Sequence, residues 1–360
     1  MKRSLLLLTA AVFATLPGCA APGAENAPAA AAAAVAVEAP ELWNFAAAEA
    51  GLRAASCASK GQPSGGLATL DIAAEPLNAK QTELLTARLP AGAAFAGAWE
   101  LKSADPNFGG LSGLAVTGSG SLLAITDSGG WVSIALAAGT PAAATIGYMR
   151  GADGKFLAGK GENDAEGLAY RDGIALVSFE REFRIEAFAF GDCGASAKAV
   201  EIAGLPGTHE ARPIEANAGP EALTLTPDGA LRFGFESVSG GVSPIGAVLA
   251  SGKGEWTGTL AGNPDGFALV GMGAVSLADS SERAIYLYRA FDPVRGARSV
   301  LSWGEGETHR LTLSRPVMTD NFEGLAVQDM GPGQVRIWIV SDNNFSRLQR
   351  TLLYAFDVSL

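Results

Sequence analysis

Residues that could bind a cation or a phosphate recur at equivalent positions of a repeated sequence pattern. One set opens an apolar strand and is acidic in three of its four members, which are Ser112, Glu166, Glu221 and Glu323. A second set ends the strand that follows, and its members are Asp127, Glu180, Glu236, Arg289 and Asp342. Arg181 directly follows one of these acids, and Asn343 follows another.

These residue types indicate cation and phosphate chemistry. Carboxylate and amide oxygens suit Ca²⁺ or Mg²⁺, and the predicted metal ligands are Asp127, Glu166, Glu221, Glu323 and Asp342. Guanidinium groups hold phosphate in bidentate fashion, and the predicted substrate-binding residues are Arg181, Arg289 and Asn343. Carboxylates at repeated positions can instead accept backbone N–H bonds and hold neighbouring strands together, and the sequence leaves this alternative open.

The repeat that positions these residues consists of a short apolar strand, a turn and an alternating strand. Its copies are FGGLSGLAVTGSGSLLAITDSG, NDAEGLAYRDGIALVSFERE, NAGPEALTLTPDGALRFGFES, GMGAVSLADSSERAIYLYRAF and NFEGLAVQDMGPGQVRIWIVSDNN. The leucines of the opening strand are Leu114, Leu168, Leu223 and Leu325, at spacings of 54, 55 and 102 residues. Half of the last spacing predicts a degenerate copy near Ala274. A period of about 50 residues made of short strands is typical of a β-propeller.

Further strands complete each predicted blade. Each copy is followed by another alternating strand, in the order WVSIAL, FRIEAFAF, GAVLAS, RSVLSW and RTLLYAFDV. Residues 65–105 also resemble strands, and they could form a sixth blade that the C-terminal strand completes, which would close the ring and remove exposed edges. We expect an all-β protein, a β-propeller of six blades, with five or seven blades as alternatives and a short N-terminal helical segment near residues 42–55. Because the start of one antiparallel strand lies beside the end of the next, both sets of residues belong on one face.

The N-terminus has the features of a lipoprotein signal. Lys2 and Arg3 precede an apolar run that is too short for a membrane span and ends in Leu-Pro-Gly-Cys, with Cys19 as the predicted lipidation site. An ordinary secretory signal is the alternative. The predicted organisation is a signal peptide (1–18), an Ala/Pro-rich tether (19–40), a short helical cap or linker (41–62) and the propeller domain (63–360). The expected location is the periplasmic face of the cell envelope, with the outer membrane favoured as the anchor site.

Composition restricts the functional classes. The formal net charge of −11 and the absence of a basic run beyond the N-terminus disfavour binding to nucleic acid. Two histidines in 360 residues disfavour histidine-rich zinc sites. The sequence contains no G-x-S-x-G, H-E-x-x-H, P-loop or EF-hand motif. Cys57 and Cys193 either form a disulfide or lie buried as small apolar residues.

Several motifs resemble those of the bacterial phytase-like family described as "esterase-like activity of phytase". They are FGGLSGLAV with ITDSG, DAEGLAY with VSFERE, NAGPEALTLTPDG with FES, YRAFDPVRG, and DNFEGLAV with IVSDNNFSRLQRTLLYAFDV, over residues 95–360. The resemblance implies a secreted or periplasmic β-propeller with phosphoester-hydrolase activity. It places Glu166, Glu221, Glu323, Asp342 and Asn343 at recurrent motif positions. The fourth repeat departs from the pattern, because it opens with Gly271-Met272-Gly273 and lacks an acid.

Two functional hypotheses follow. The first is a lipid-anchored, monomeric, Ca²⁺-assisted phosphoric-ester hydrolase that acts on a small phosphorylated substrate; its candidate catalytic residues are Glu166, Glu180, Glu221 and Glu323. In this hypothesis Glu180 orients the attacking water. The second is a non-catalytic envelope propeller that uses the same face to bind a small ligand, a glycan or a protein partner. The missing acid in the fourth repeat and the lack of an evident nucleophile favour the second hypothesis.

Overall fold

The computed structural model describes residues 40–57, 65–236, 238, 240–277 and 279–360. The predicted signal peptide, the Cys19 lipidation site and tether residues up to 39 lie outside the described residues. Strands account for most of the elements, as the sequence predicts. The helices are α1 (Phe45–Ser56), α2 (Ala79–Thr86), α3 (Lys160–Asn163) and α4 (Phe190–Cys193). None of the described helices has the length and apolar character needed to cross a membrane.

The strands follow the repeats along the chain. Those before the first repeat are β1 (Ala68–Leu70), β2 (Ala73–Pro76) and β3 (Ala93–Lys102). The first two repeats form β4 (Leu111–Val116), β5 (Leu122–Thr126), β6 (Gly130–Ala137), β7 (Thr140–Tyr148), β8 (Ala165–Arg171), β9 (Ile174–Phe179), β10 (Arg184–Phe188) and β11 (Val200–Gly204). A small hairpin and the third repeat form β12 (Thr208–His209), β13 (Arg212–Pro213), β14 (Ala222–Leu225), β15 (Leu231–Gly234), β16 (Pro244–Val248) and β17 (Gly254–Leu260). The last two repeats form β18 (Ala268–Ser276), β19 (Glu282–Asp292), β20 (Gly296–Trp303), β21 (His309–Leu313), β22 (Asn321–Gly331), β23 (Gln334–Asp342) and β24 (Thr351–Ser359).

These strands form a β-propeller, and the described residues contain five blades. Blades 2, 3 and 4 are the antiparallel sheets β8–β11, β14–β17 and β18–β21, whereas blade 1 is β4–β7 with β1 at its outer edge. Blade 5 has the order β22-β23-β24-β3-β2. The first strands β4, β8, β14, β18 and β22 contact one another in a closed circle, because β22 also contacts β4.

The prediction of a sixth blade is wrong, because residues 65–105 join two existing sheets. Strand β1 pairs with β7, while β3 pairs with β24 and β2 pairs with β3. The predicted closure is confirmed in a different form: the C-terminal strand is the third strand of blade 5, and the N-terminal β3 lies beside it. Helix α2 also differs from the strands that the sequence predicts over residues 65–105. It begins after Asn78, whose side chain accepts a hydrogen bond from the Gln81 N–H, and it buries Leu85.

Glycines allow the first strands to approach closely around the axis. A Cβ atom at Gly113 would lie 2.8 Å from the carbonyl oxygen of Glu166, and one at Gly167 would lie 2.9 Å from that of Glu221. Distances this short require the backbone to shift. The glycine in the Glu-Gly-Leu motif is therefore needed for blade-to-blade packing, and the acid before it is held at a fixed position.

The predicted N-terminal helical segment is confirmed as α1, and it lies at the end of the blades opposite to the strand starts. Arg53 donates a hydrogen bond to the carbonyl oxygen of Asp172 in the β8–β9 turn, and Asn44 donates one to Asp228 in the β14–β15 turn. Cys57, at the C-terminus of α1, forms a disulfide with Cys193, with the Cα atoms 6.1 Å apart. The helix is thus joined to blade 2 by a covalent bond.

Candidate functional site

The two sets of repeated residues lie at one end of the propeller. In blade 5, Asn321 at the start of β22 pairs with Asp342 at the end of β23. In blade 4, Ala268 at the start of β18 pairs with Arg289 near the end of β19. Equivalent pairings occur in the other blades. We call the resulting cluster the acidic mouth, and it consists of Asp127, Asp164, Glu166, Glu180, Glu221, Glu236, Glu323 and Asp342 with Arg181 and Arg289.

Arg289 is the central cation of the acidic mouth. Its Nη2 lies 2.8 Å from Glu236 Oε1 and 3.5 Å from Glu221 Oε1, and its Nη1 lies 2.9 Å from Glu323 Oε1. Nη1 also donates a hydrogen bond to Asn321 Oδ1. Burial would lower the pKa of Arg289, but the adjacent carboxylates raise it above its ordinary value. Blade 4, which lacks an acid at its strand start, therefore supplies the cation that pairs with the acids of blades 3 and 5.

Three carboxylates of blade 2 form the tightest group of potential metal ligands. Asp164, Glu166 and Glu180 each offer one oxygen, and these oxygens lie within 4.8 Å of one another. Arg181 donates a hydrogen bond to Asp164 Oδ2 at 2.8 Å and lies 3.5 Å from Glu180 Oε2. The Glu166 carboxylate accepts no hydrogen bond from any described residue. Lys160 Nζ lies 4.0 Å from Asp164 Oδ1. Both nearby cations thus contact Asp164, and the cluster of carboxylate oxygens is suited to an added cation.

Burial and mutual repulsion raise the pKa values of these acids. Burial, then Glu221 and Glu323, raise the pKa of Glu166 well above its ordinary value. Burial also raises the pKa of Glu221 well above its ordinary value, although Arg289 opposes the shift. The pKa of Glu323 rises to about 8 and that of Glu180 to about 7, in both cases mainly through burial. Without further positive charge, Glu323 and Glu180 therefore retain protons close to neutral pH.

A second pair of acids lies across the junction of blades 1 and 5. Burial raises the pKa of Asp127, and its Oδ1 is buried without a hydrogen-bond partner. Burial raises the pKa of Asp342 to about 6, even though the carboxylate accepts a hydrogen bond from the Asn344 N–H. The described donors therefore satisfy Asp342 in part but leave Asp127 Oδ1 without a partner.

The remaining predicted residues have structural contacts. Asn343 Oδ1 accepts hydrogen bonds from the N–H groups of Gly110 and Phe345, so it holds its own loop against blade 1. Ser112 donates a hydrogen bond to the carbonyl oxygen of Ala165 in blade 2. Ser112 thus connects blade 1 to blade 2, whereas the alternative role of the repeated acids as acceptors of backbone N–H bonds between blades stays a prediction.

Asp164 and Asn321 are site residues that the sequence reasoning missed. Asp164 is almost fully buried and contributes to the carboxylate triplet. Asn321 bridges Arg289 and Glu323, since its Nδ2 donates to Glu323 Oε1 at 2.8 Å. Both belong to short polar segments directly before a Glu-Gly-Leu motif, Asp-Ala-Glu-Gly and Asp-Asn-Phe-Glu-Gly. That shared placement is the signal that could have identified them.

The donor set fits Ca²⁺. This ion takes six to eight oxygen ligands in flexible geometry, and the blade 2 triplet offers carboxylate oxygens only. A bound divalent cation would lower the raised pKa values and would provide a partner for the unsatisfied Asp127 oxygen. Arg181 and Arg289 lie beside the carboxylates, although Arg289 is already paired with three of them.

Comparison with solved structures gives matches of low sequence identity. An aldose sugar dehydrogenase from Streptomyces coelicolor, in its PQQ-bound form, has 13% identity and a TM-score of 0.44, over 75% of this chain and all of that one. A calcium-binding regucalcin from Agrobacterium tumefaciens has 13% identity and a TM-score of 0.41, over 74% of this chain and 95% of that one. A glutaminyl cyclase from Myxococcus xanthus has 12% identity and a TM-score of 0.39, over 74% and 97%.

Comparison by sequence gives one family and no individual relative. No curated protein shows a significant match to this chain. Residues 106–266 match the model of the family described as "Phytase-like: Esterase-like activity of phytase". The matched segment includes strands β4–β17 and, with them, the carboxylate triplet of blade 2. The resemblance to the phytase-like family that the sequence motifs indicate is therefore confirmed over residues 106–266 of this β-propeller, and the motifs after residue 266 lie outside the match.

Proposed function

We propose that the acidic mouth is a divalent-cation-dependent site for the hydrolysis of small phosphoric esters. The observation that carries the proposal is the carboxylate triplet Asp164, Glu166 and Glu180, whose oxygens lie within 4.8 Å of one another beside Arg181. The triplet lies in the segment that matches the phytase-like family. A substrate phosphate approaching a protein of net charge −11 needs local positive charge, which Ca²⁺ and the two arginines supply.

Different residues of the acidic mouth bind the cation and orient the phosphate. Asp164, Glu166 and Glu180 hold the cation, with Asp127 and Asp342 as a second candidate group. When bound, the ion screens the phosphate charge and lowers the pKa of a coordinated water. Arg181, whose side chain is about one-third exposed, orients the phosphate at the mouth. Because the proposal uses Glu180 as a ligand of the cation, another acid must orient the attacking water.

Glu323 is the candidate general base. Its pKa of about 8 is in the range that suits proton transfer near neutral pH, and Arg289 stabilises its ionised form. Water oxygen bonds to phosphorus while the ester P–O bond breaks, and the proton that Glu323 accepts passes to the departing alcohol. The products are the alcohol and inorganic phosphate.

A non-catalytic binding propeller is the second candidate. The observation that favours it is the engagement of both Arg289 Nη atoms by Glu221, Glu236 and Glu323. A guanidinium already paired in this way has less capacity to clamp a phosphate. Binding of a ligand without turnover is the outcome that this candidate requires.

The location of the protein is part of the proposal. Cys19 anchors the chain by lipid to the periplasmic face of the envelope, and the propeller acts there as a monomer on a small substrate rather than on nucleic acid. The Cys57–Cys193 disulfide supports an oxidising compartment. Metabolic labelling with a fatty acid tests the anchor: label on the wild type and none on Cys19→Ser is expected, whereas equal label on both contradicts it.

Phosphate release tests the enzymatic proposal. The purified full-length protein is assayed with inositol hexakisphosphate and an aryl phosphate, in Ca²⁺ and in chelator. We expect release that requires Ca²⁺ and is lost in Glu166→Gln, but is retained in Glu305→Gln, which changes an exposed glutamate far along the chain from the triplet. Full activity in chelator contradicts the cation dependence, and saturable binding without release supports the second candidate.

A further inference from the structure

A cleft beside the acidic mouth has a shape and lining that the hydrolytic chemistry does not use. Its volume is about 740 Å³, within the range of small-molecule sites. Its lining includes Glu236, Arg289 and Asn321, so the cleft reaches the central cation of the mouth. A substrate whose phosphate lies at the mouth can extend its organic group into this cleft.

Part of the lining of the cleft is apolar. Phe291 lines it with 73% of its surface exposed, and it makes no ring contact with any described residue. Phe267 lies nearby and is held by the Arg298 guanidinium, 5.0 Å from its ring centroid. Pro264, Gly266, Gly240 and Gly241 also line the cleft and carry no side-chain hydrogen-bonding groups. Exposed aromatic surface in a cleft of this kind favours stacking with a planar ring.

Most hydrogen-bond donors on the described lining side chains are already engaged, which disfavours a polyol. Asn263 uses its Nδ2 to donate to Ser243 Oγ and to the carbonyl oxygen of Phe267. Its Oδ1 is buried without a partner. A sugar or an inositol ring presents many hydroxyl groups, and burying them without partners costs free energy.

The charge of the cleft excludes a heavily phosphorylated group. Among its described lining residues, Glu236 and Asp265 are acidic and Arg289 is the one cation. Glu236 is already paired with Arg289 at 2.8 Å, so the exposed Asp265 carboxylate leaves the cleft with excess negative charge. Additional phosphates on the substrate would meet this charge without a counterion.

We propose that the cleft binds an uncharged aromatic ring carried by the organic group of a phosphoric monoester, so that the substrate class is aromatic monophosphates rather than polyphosphorylated polyols. This inference rests on the proposed function for its catalytic readout. Phe291 is the specificity-determining residue, and it acts by stacking against the ring.

The test compares substrates with matched leaving groups. Benzyl phosphate and ethyl phosphate both release a primary alcohol, so a difference in kcat/KM reports recognition of the ring. We expect benzyl phosphate to be preferred, and Phe291→Ala to lower its kcat/KM about tenfold while changing ethyl phosphate less than about twofold. Phe291→Tyr retains the ring and should keep the preference. Val294→Ala is the matched control, since it shortens an 86% exposed side chain on the same turn outside the cleft.

Binding separates this inference from the proposed function. Calorimetry with benzylphosphonate, which is not hydrolysed, should show binding that Phe291→Ala weakens about tenfold. That result without any turnover supports the cleft and overturns the hydrolytic proposal. Turnover with no preference for benzyl phosphate and no effect of Phe291→Ala overturns the cleft and leaves the hydrolytic proposal standing. If neither binding of benzylphosphonate nor turnover of either ester is observed, the cleft inference and the hydrolytic proposal are both overturned.

Discussion

Arg289 Nη1 lies 2.9 Å from Oε1 of Glu323, so a cation from blade 4 faces an acid from blade 5 at the mouth of the propeller. The same guanidinium also reaches Glu221 and Glu236 of blade 3. The fourth repeat departs from the acidic pattern, and it compensates by supplying the counterion that the other repeats need.

Removing that counterion should destabilise the protein. Arg289→Met leaves three neighbouring carboxylates without their partner, and we expect a loss of about 2 to 4 kcal/mol in the free energy of unfolding, measured in urea at pH 8 with chelator. The loss should shrink at pH 5.5, where the acids with raised pKa values are protonated. A loss below about 0.5 kcal/mol at pH 8 would show that Arg289 is not the stabilising cation.

The raised pKa values predict a pH dependence of stability. Glu323, Glu180 and Asp342 have pKa values of about 8, 7 and 6 in the folded protein, above their ordinary values near 4. The folded state therefore binds more protons than the unfolded state between these limits, and the stabilisation is lost as the pH rises through about 6 to 8. In chelator, the unfolding temperature should be higher at pH 5.5 than at pH 8.5. A stability that rises over this window contradicts the raised values.

Calcium should reverse that loss. At pH 8.5, ionised carboxylates at the mouth bind Ca²⁺, and a concentration of about 100 times Kd adds about 2.7 kcal/mol of stability. The rise in unfolding temperature on adding Ca²⁺ should be larger at pH 8.5 than at pH 5.5, as differential scanning calorimetry can measure. An equal rise at both pH values would place the bound ion elsewhere.

The carboxylate triplet should dominate the calcium affinity. Asp164→Asn and Glu166→Gln each remove one charged ligand oxygen group from the set, and we expect Kd to rise about tenfold or more in titration calorimetry. Glu182→Gln, at a half-exposed glutamate that pairs with Arg184, is the control and should leave Kd within about twofold. Unchanged calcium affinity in both triplet variants would indicate that Ca²⁺ binds at Asp127 and Asp342 instead.

The close approach of the first strands gives a prediction about packing. Gly113→Ala places a Cβ 2.8 Å from both the Glu166 carbonyl oxygen and Ile125 Cγ1, so we expect a loss of about 1 to 3 kcal/mol. Gly118→Ala is the control, because nothing lies within 4 Å of its added Cβ. Equal unfolding midpoints for the two variants would contradict tight packing around the axis.

Much of the fold could be predicted because strand alternation and turns are local signals. The repeated leucines, such as Leu114 and Leu325, do lie on the first strands of their blades. The number of blades could not be predicted from the period alone. Strands β1 and β3 have ordinary strand patterns, and the pairing of β1 with β7 and of β3 with β24 depends on contacts between distant parts of the chain.

The site was predictable in its location and less so in its internal pairing. Antiparallel register places Glu323 and Asp342 at the same edge whatever the details of packing. The sequence does not show that Arg289 forms ion pairs with three acids from two other blades, because these contacts depend on how the blades are arranged around the propeller axis. It also does not show that Asn343 turns its oxygen towards the backbone of its own loop.

The central claim is that a divalent cation at the acidic mouth is needed for phosphoester hydrolysis. The most direct test measures the initial rate of phosphate release from benzyl phosphate against free Ca²⁺ concentration, beside a calcium-binding isotherm of the same sample. The predicted result is that rate and occupancy rise together with the same midpoint, and that both curves shift in Glu166→Gln. A full rate in chelator, or calcium binding at saturation with no phosphate released from any ester, would contradict the claim.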